Sequence, residues 1–392
     1  MNHRDIFLRH VAQTSDAPLA LEFVKAEGSY LWDASGKQYI DLIGGISVCN
    51  VGHRHPAVVA AIKDQTDRYL HTMVYGETVQ APQVRYAELL TEHLPSSLNC
   101  VYFTNSGTEA TEGAMKLAKR ATGRTGIVAF HEAYHGSSQG ALSLMGDEYW
   151  RNAFRPLLPG VERLRHNDFS ELERIDGTTA CVILETIQGE AGVRVPDPEW
   201  IRALRARCTE VGALLVLDEI QCGFGRNGSL WAFEQYDVVP DILLLGKALG
   251  GGMPLGAFIA DRPLMHTLAD RPVLGHITTF GGHPVSCAAG MAAMRALLDE
   301  GMLEGVPERE QWFRSGLQHP SIRAFRSKGL MIALEFDSFE TNKRVIDRAI
   351  ASGVFTDWFL FSARSMRIVP PLNISREDVR KACDIVSICI SY

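Results

Sequence analysis

None of the eight cysteines forms a CxxC pair or a zinc-knuckle spacing. That argues against small zinc modules and dithiol redox motifs, and several of the thiols sit in apolar runs where cysteine packs as a small hydrophobe. They are read as reduced core residues. No window reaches the ~18 consecutive apolar residues of a membrane span, and the opening segment MNHRDIFLRHVAQTSD lacks the apolar stretch of a secretory signal. A cytoplasmic location is expected. A basic stripe is also missing: the net charge is −7 and Lys and Arg are scattered, so small molecules fit better as partners than nucleic acid or an anionic membrane. There is no internal repeat, low-complexity tract or flexible linker. With 392 residues, 46% of them hydrophobic, the chain can bury a large core divided into at least two closely joined domains.

What is present is an alternation of short apolar runs with amphipathic stretches. Cys181 to Glu185 reads as a buried strand; Trp200, Ile201, Leu204, Cys208 and Val211 recur at helical spacing; Leu214 to Asp218 reads as the next strand. Another buried run, Ile242 to Leu245, ends at Gly246-Lys247, extending the pattern toward a parallel α/β sheet. From about Ser286 the character becomes helical, with strands expected at Leu330 to Phe336 and near Met366 to Val369. The expected division is an N-terminal segment 1–50 joining a small domain, a large domain 51–285, and a small α+β domain 286–392.

Ligands of open parallel sheets sit beyond the carboxyl ends of the strands, where this pattern places Glu185, Asp218 and Lys247. Singly, each is more often a turn residue, a cap or a solvated surface group. Together they suggest a Schiff-base chemistry. A lysine in the charge-poor setting LLLGKALGGGMPLG can have its amine activated by desolvation. A pyridoxal phosphate (PLP) ring would need an acidic partner for its nitrogen, and Asp218 is the natural candidate. The turn Ser106-Gly107-Thr108 precedes a run of helix formers, so its amides and the helix dipole could bind a phosphate, although an ordinary N-cap would read the same.

Six segments then occur in the order and spacing of one family: NSGTEA, AYHG (Ala133 to Gly136), ETIQGEAGV (Glu185 to Val193), LDEIQCGFGR (Leu217 to Arg226), GKALGGGMPLGA (Gly246 to Ala257) and TTFGGHP (Thr278 to Pro284). The chain resembles the class III (ω-amino) aminotransferases of PLP fold type I, nearest the acetylornithine/ornithine branch. The resemblance implies a large domain with a mostly parallel, seven-stranded-type sheet covered by helices on both faces, plus a smaller domain built from both chain ends. It implies PLP as cofactor, with Lys247 as Schiff-base lysine and Asp218 at the ring nitrogen. Gln221 would lie near the phenolic oxygen, Tyr134 and Ile220 would sandwich the ring, and Ser106, Gly107 and Thr108 would cup the phosphate. His135 and Glu185 are carried over as cofactor neighbours. Thr279 would reach the phosphate from a second copy, implying a homodimer with composite sites. Arg367 resembles the clamp for a substrate carboxylate and Glu190 the switch that pairs with it; Ile46 and Tyr134 would also face substrate.

The chain departs from the family pattern at Ser137, where that branch commonly carries arginine, at Thr186 in place of proline, and at His283 in place of asparagine. With Ser137 in that position the far end of the substrate is expected to meet other groups, such as Met73-Val74-Tyr75 of a partner chain. The expected reaction is ping-pong transfer of an amino group from an acylated-ornithine-like ω-amine to 2-oxoglutarate. A broad ω-amine:pyruvate transaminase, or a racemase or aminomutase on the same scaffold, are the alternatives.

Overall fold

The computed structural model describes residues 2–74 and 76–391; Tyr75 lies outside the described residues. Near the N-terminus, β1 (Phe23–Glu27), β2 (Tyr30–Asp33) and β3 (Gln38–Asp41) form an antiparallel meander. The middle of the chain supplies β4 (Cys100–Thr104), β5 (Gly126–Phe130), β6 (Val161–Leu164), β7 (Thr179–Glu185), β8 (Leu214–Asp218), β9 (Ile242–Leu245) and β10 (Gly256–Ala260). The last third supplies β11 (Ala324–Lys328), β12 (Met331–Glu335), β13 (Val354–Phe355), β14 (Asp357–Phe359) and β15 (Ser362–Ile368).

The central sheet runs β4-β10-β9-β8-β7-β5-β6. Every pairing from β9 to β6 is parallel, and β10 lies antiparallel to both of its neighbours. The fold class inferred from sequence is the one observed. β13 pairs in parallel with β3, so segments from both chain ends share a sheet, while β11-β12-β15-β14 form a third. The glycine-led strand β10 is not among the strands expected from the sequence, although Phe258 and Ile259 suit one. The expected strand near Met366 is longer than anticipated, beginning at Ser362.

The central strands read as unbroken apolar runs because both faces are covered. Ile183, Val216 and Leu244 point to one face, against Ala114, Met115 and Leu117 of the helix Gly107–Thr122. Leu184, Leu217 and Leu245 point to the other, in a core with Trp200, Leu204 and Cys208 of the helix Pro198–Val211. Burying Met115 and Leu117 is worth roughly 1.5–3 kcal/mol each, against about 1 kcal/mol for a good N-cap. Packing therefore holds the helix Gly107–Thr122 in place and leaves its first amides available.

Fully buried Arg226 ties the chain ends to the sheet: it donates to Asn50 Oδ1 and to the carbonyls of Leu330 and Pro370. We propose a division into a large central domain and a smaller one built from both ends. Its second boundary falls after Asp299, because the helix Pro284–Asp299 packs on the helices Pro56–Arg68 and Ala81–Glu92. Among the described residues no helix is long and apolar enough to cross a membrane, and all eight cysteines are free.

Candidate active site

Register brings the strand-end groups together. Glu185 sits opposite Asp218 across β7 and β8, and Asp218 sits opposite Leu244 of β9, three residues before Lys247. All three line one cavity of about 290 Å³ beyond the carboxyl edge of the sheet, with Gly107, Thr108, Tyr134, His135, Ile220, Gln221 and Glu190. Lys247 adopts a left-handed backbone, φ 50°, a conformation uncommon outside glycine and one that clusters at functional sites. Although it opens onto the cavity, burial lowers its ammonium pKa below the ordinary value. Arg367 adds to that effect, and Glu190, Asp218 and Glu185 oppose it.

Asp218 is held from two sides: the Ile220 amide donates to Oδ1 at 2.9 Å, and His135 Nδ1 lies 2.7 Å from Oδ2. Burial alone would keep the imidazole neutral, but Asp218, helped by Glu185, raises its pKa above the ordinary histidine value. The sequence assigned His135 only as a neighbour; its contact with Asp218 spans two strands and has no local signature. Glu185 accepts from the Tyr134 amide at 3.0 Å and the Gly189 amide at 2.9 Å, fixing both loops at the rim. Burial, with Asp218 adding, pushes its carboxyl up to about 7, against the pull of His135 and those amides.

Ser106 caps the helix Gly107–Thr122 weakly, its Oγ accepting from the Glu109 amide at 3.4 Å. Among the described residues, the amides of Gly107 and Thr108 have no protein partner. Gly107 lies close to Ile220: a Cβ there would stand 2.8 Å from Ile220 Cδ1 and push that side chain aside. Thr108 Oγ1 meets Ser138 Oγ at 2.6 Å, and Ser138 in turn donates to Glu112 at 2.5 Å, so this turn is anchored to the following loop.

At the other side of the cavity, buried Arg367 makes a two-pronged contact with Glu190, 2.7 and 2.9 Å, and donates to the Trp358 carbonyl at 2.9 Å. Asp357 Oδ1 lies 2.9 Å from Arg367 Nε, near enough for an ion pair but too poorly aligned for a hydrogen bond. Burial would raise the Glu190 carboxyl; Arg367 and the Leu360 amide, 2.9 Å away, leave it below its ordinary value.

Not every expected residue reaches this cavity. Thr279 is exposed and Ser106 lies outside the wall. Ile46 is also outside; it holds φ 63° in a Gly44-Gly45 turn packed on Val369 and Pro370, just past Arg367. Two departures from the family pattern acquire a physical account. Thr186 Oγ1 donates to the buried Glu219 at 3.0 Å, joining the amides of Ala232 and Phe233 on that carboxylate. His283 stacks on His71, ring centroids 5.5 Å apart and planes 8° from parallel.

The donor set is complementary to PLP: a desolvated amine, a carboxylate in a strand-end crevice, two unpartnered helix-start amides and an aromatic ring around one cavity. Residues 11–390 match the family model "Aminotransferase class-III". The chain is a class III aminotransferase. Acetylornithine aminotransferase of Methanopyrus kandleri is 40% identical over 378 residues, 95% of this chain and 94% of that one. Putrescine aminotransferase of Pectobacterium atrosepticum is 39% identical over 376 residues, 91% of this chain and 80% of that one. A solved structure of ornithine aminotransferase from Toxoplasma gondii, with partial PLP occupancy at its active site, superposes with a TM-score of 0.91 at 30% identity, over 99% of this chain and 93% of the other. Enzymes of this family depend on PLP, which is therefore the cofactor here, and their substrates are small amino and oxo compounds.

Proposed function

We propose that the enzyme moves an amino group from a primary ω-amine to a 2-oxo acid, the two substrates occupying the same cavity in turn. The observation that carries this reading is the buried Arg367–Glu190 pair at the cavity wall. With Glu190 in place the arginine is masked and a carboxylate-free amine terminus can enter; with Glu190 displaced, the planar guanidinium can take a carboxylate in two-pronged fashion. One cavity with two charge states fits a ping-pong order, in which donor and acceptor never meet.

Bound PLP supplies an electrophilic aldehyde and a ring that withdraws electrons from the reacting carbon. Lys247 would carry it, Asp218 would hold a proton on its ring nitrogen, and the Gly107 and Thr108 amides would face its phosphate. Tyr134 and Ile220 would flank the ring, with Gln221 near its phenolic oxygen. His135 keeps Asp218 oriented. Lys247, its pKa lowered by burial, has more free base near neutrality and can move a proton to and from the substrate carbon through Nζ.

Arg367→Ala tests the clamp. Its half-reaction with a 2-oxo acid is expected to slow by roughly 10²-fold or more, the scale of losing a charge-assisted two-pronged contact, while the ω-amine half-reaction persists. Unchanged reaction with 2-oxo acids would refute it.

We also propose a homodimer in which Thr279 completes the partner's site. Thr279 lies outside its own cavity but beside Thr278, whose Oγ1 accepts from Asn105 at 3.1 Å next to the phosphate turn. Exposed apolar side chains cluster in sequence around it and around the 70–84 segment: Leu70, Met73, Val79, Ile277 and Phe280. On dilution, PLP loss is expected to track the appearance of monomer in light scattering. A monomer retaining PLP and full activity would contradict this assembly.

A further inference from the structure

If the cavity takes an amine and a 2-oxo acid in turn, as proposed above, its charges limit which ones. Among the described residues, the only Lys or Arg in its wall is Lys247. His135 is committed to Asp218 at 2.7 Å. The same wall holds three carboxylates, Glu185, Glu190 and Asp218. Apart from the phosphate turn, the one cation that this chain's own described residues hold ready for a carboxylate is Arg367, directly behind Glu190. At the rim the wall is neutral. Ser137 is exposed, and its hydroxyl lies 3.0 Å from the Tyr134 phenol oxygen, so one hydroxyl donates to the other and the pair offers a ligand a single O–H and no charge. A carboxylate brought against this pair would lose most of its water for one neutral hydrogen bond and no counter-charge.

We propose that Ser137 and Tyr134 form a neutral outer wall that takes no carboxylate remote from the reacting carbon, so that the site holds at most a single carboxylate, the one on the acceptor's reacting carbon. Acceptors are then monocarboxylic 2-oxo acids of the pyruvate type. Donors are primary amines whose far end is uncharged or cationic. This favours the ω-amine:pyruvate alternative over the leading expectation drawn from sequence, because 2-oxoglutarate and an acylated ornithine each place a carboxylate at the end remote from the reacting carbon.

The test uses the PLP-loaded enzyme converted to its aminated form, followed by rapid mixing with pyruvate or with 2-oxoglutarate. Pyruvate is expected to react at least about tenfold faster at equal low concentration, and Ser137→Arg is expected to shift the ratio toward 2-oxoglutarate by about tenfold or more, the scale at which a matched polar contact discriminates substrates. A binding measurement separates recognition from turnover. Calorimetry should find the unreactive glutarate bound no more tightly than propionate by wild type, and more tightly by Ser137→Arg. A wild type that prefers 2-oxoglutarate tenfold, or that binds glutarate more tightly than propionate, overturns the single-carboxylate site while leaving amino transfer intact. An unshifted ratio in folded Ser137→Arg removes Ser137 from the role. If wild type reacts with neither acid, the proposed function itself fails, and the glutarate–propionate comparison still decides the number of carboxylates held.

Discussion

Lys247→Ala is expected to abolish turnover, by roughly 10⁴-fold or more, because one amine serves as both the covalent anchor and the proton carrier. No other lysine lines the cavity among the described residues. The variant should fold, since Lys247 makes no hydrogen bond among those described and opens onto the cavity rather than the core. Two measurements check the assignment. Borohydride reduction should link PLP irreversibly to the wild-type peptide containing Lys247 and to no peptide of the variant, as read by mass spectrometry. Steady-state turnover should fall to background in the same preparation. A variant that still attaches PLP covalently and turns over repeatedly would remove Lys247 from the chemistry.

Asp218→Asn should produce the second large effect, and it has a pH signature. A neutral amide cannot hold a proton on the ring nitrogen, so turnover is expected to drop by about 10²–10³-fold, the usual scale for losing one preorganised electrostatic group. Stability is affected through His135. Its folded pKa is raised by Asp218, so the pair's contribution is fully present below the ordinary histidine value and is lost as pH rises through the raised folded pKa. Removing the carboxylate from a fully buried imidazolium is expected to cost about 3 kcal/mol near pH 6. The cost should shrink at alkaline pH, where the wild-type imidazole is also neutral. Urea titrations at several pH values measure it. A wild-type–variant gap that does not narrow with rising pH would mean that His135 is not held cationic by Asp218.

The two effects differ in what could be foreseen. Lys247 and Asp218 announce themselves because each ends an unbroken apolar run, and a strand buried on both faces must surface at its carboxyl end. Nothing along the chain could show that His135, on a different loop, donates to Asp218, since the contact depends on how the loop after β5 lies over the end of β8. The same holds for Arg367. Its motif marks the residue, but its anchoring by Asp357, the Trp358 carbonyl and Glu190 depends on β14 and β15 being folded against the loop that follows β7. Strand β10 is short and opens with Gly256-Ala257, which have little β-preference; its antiparallel place between β4 and β9 depends on those remote partners.

By itself, then, the sequence determined the alternation of buried strands and amphipathic helices, the family, the cofactor, and which residue types stand at the strand ends. These are properties of local pattern and motif, written into neighbouring residues. The tertiary structure decided what those residues are to one another. Parallel register set Glu185 beside Asp218 and carried Lys247 to the same crevice; burial moved the pKa values of Lys247 and Glu185, and Asp218 raised that of His135 against burial; and the folding of the last third of the chain over the cavity put Arg367 behind Glu190. Such effects depend on distance and on exclusion of water, and both arise only when segments remote in sequence are packed together.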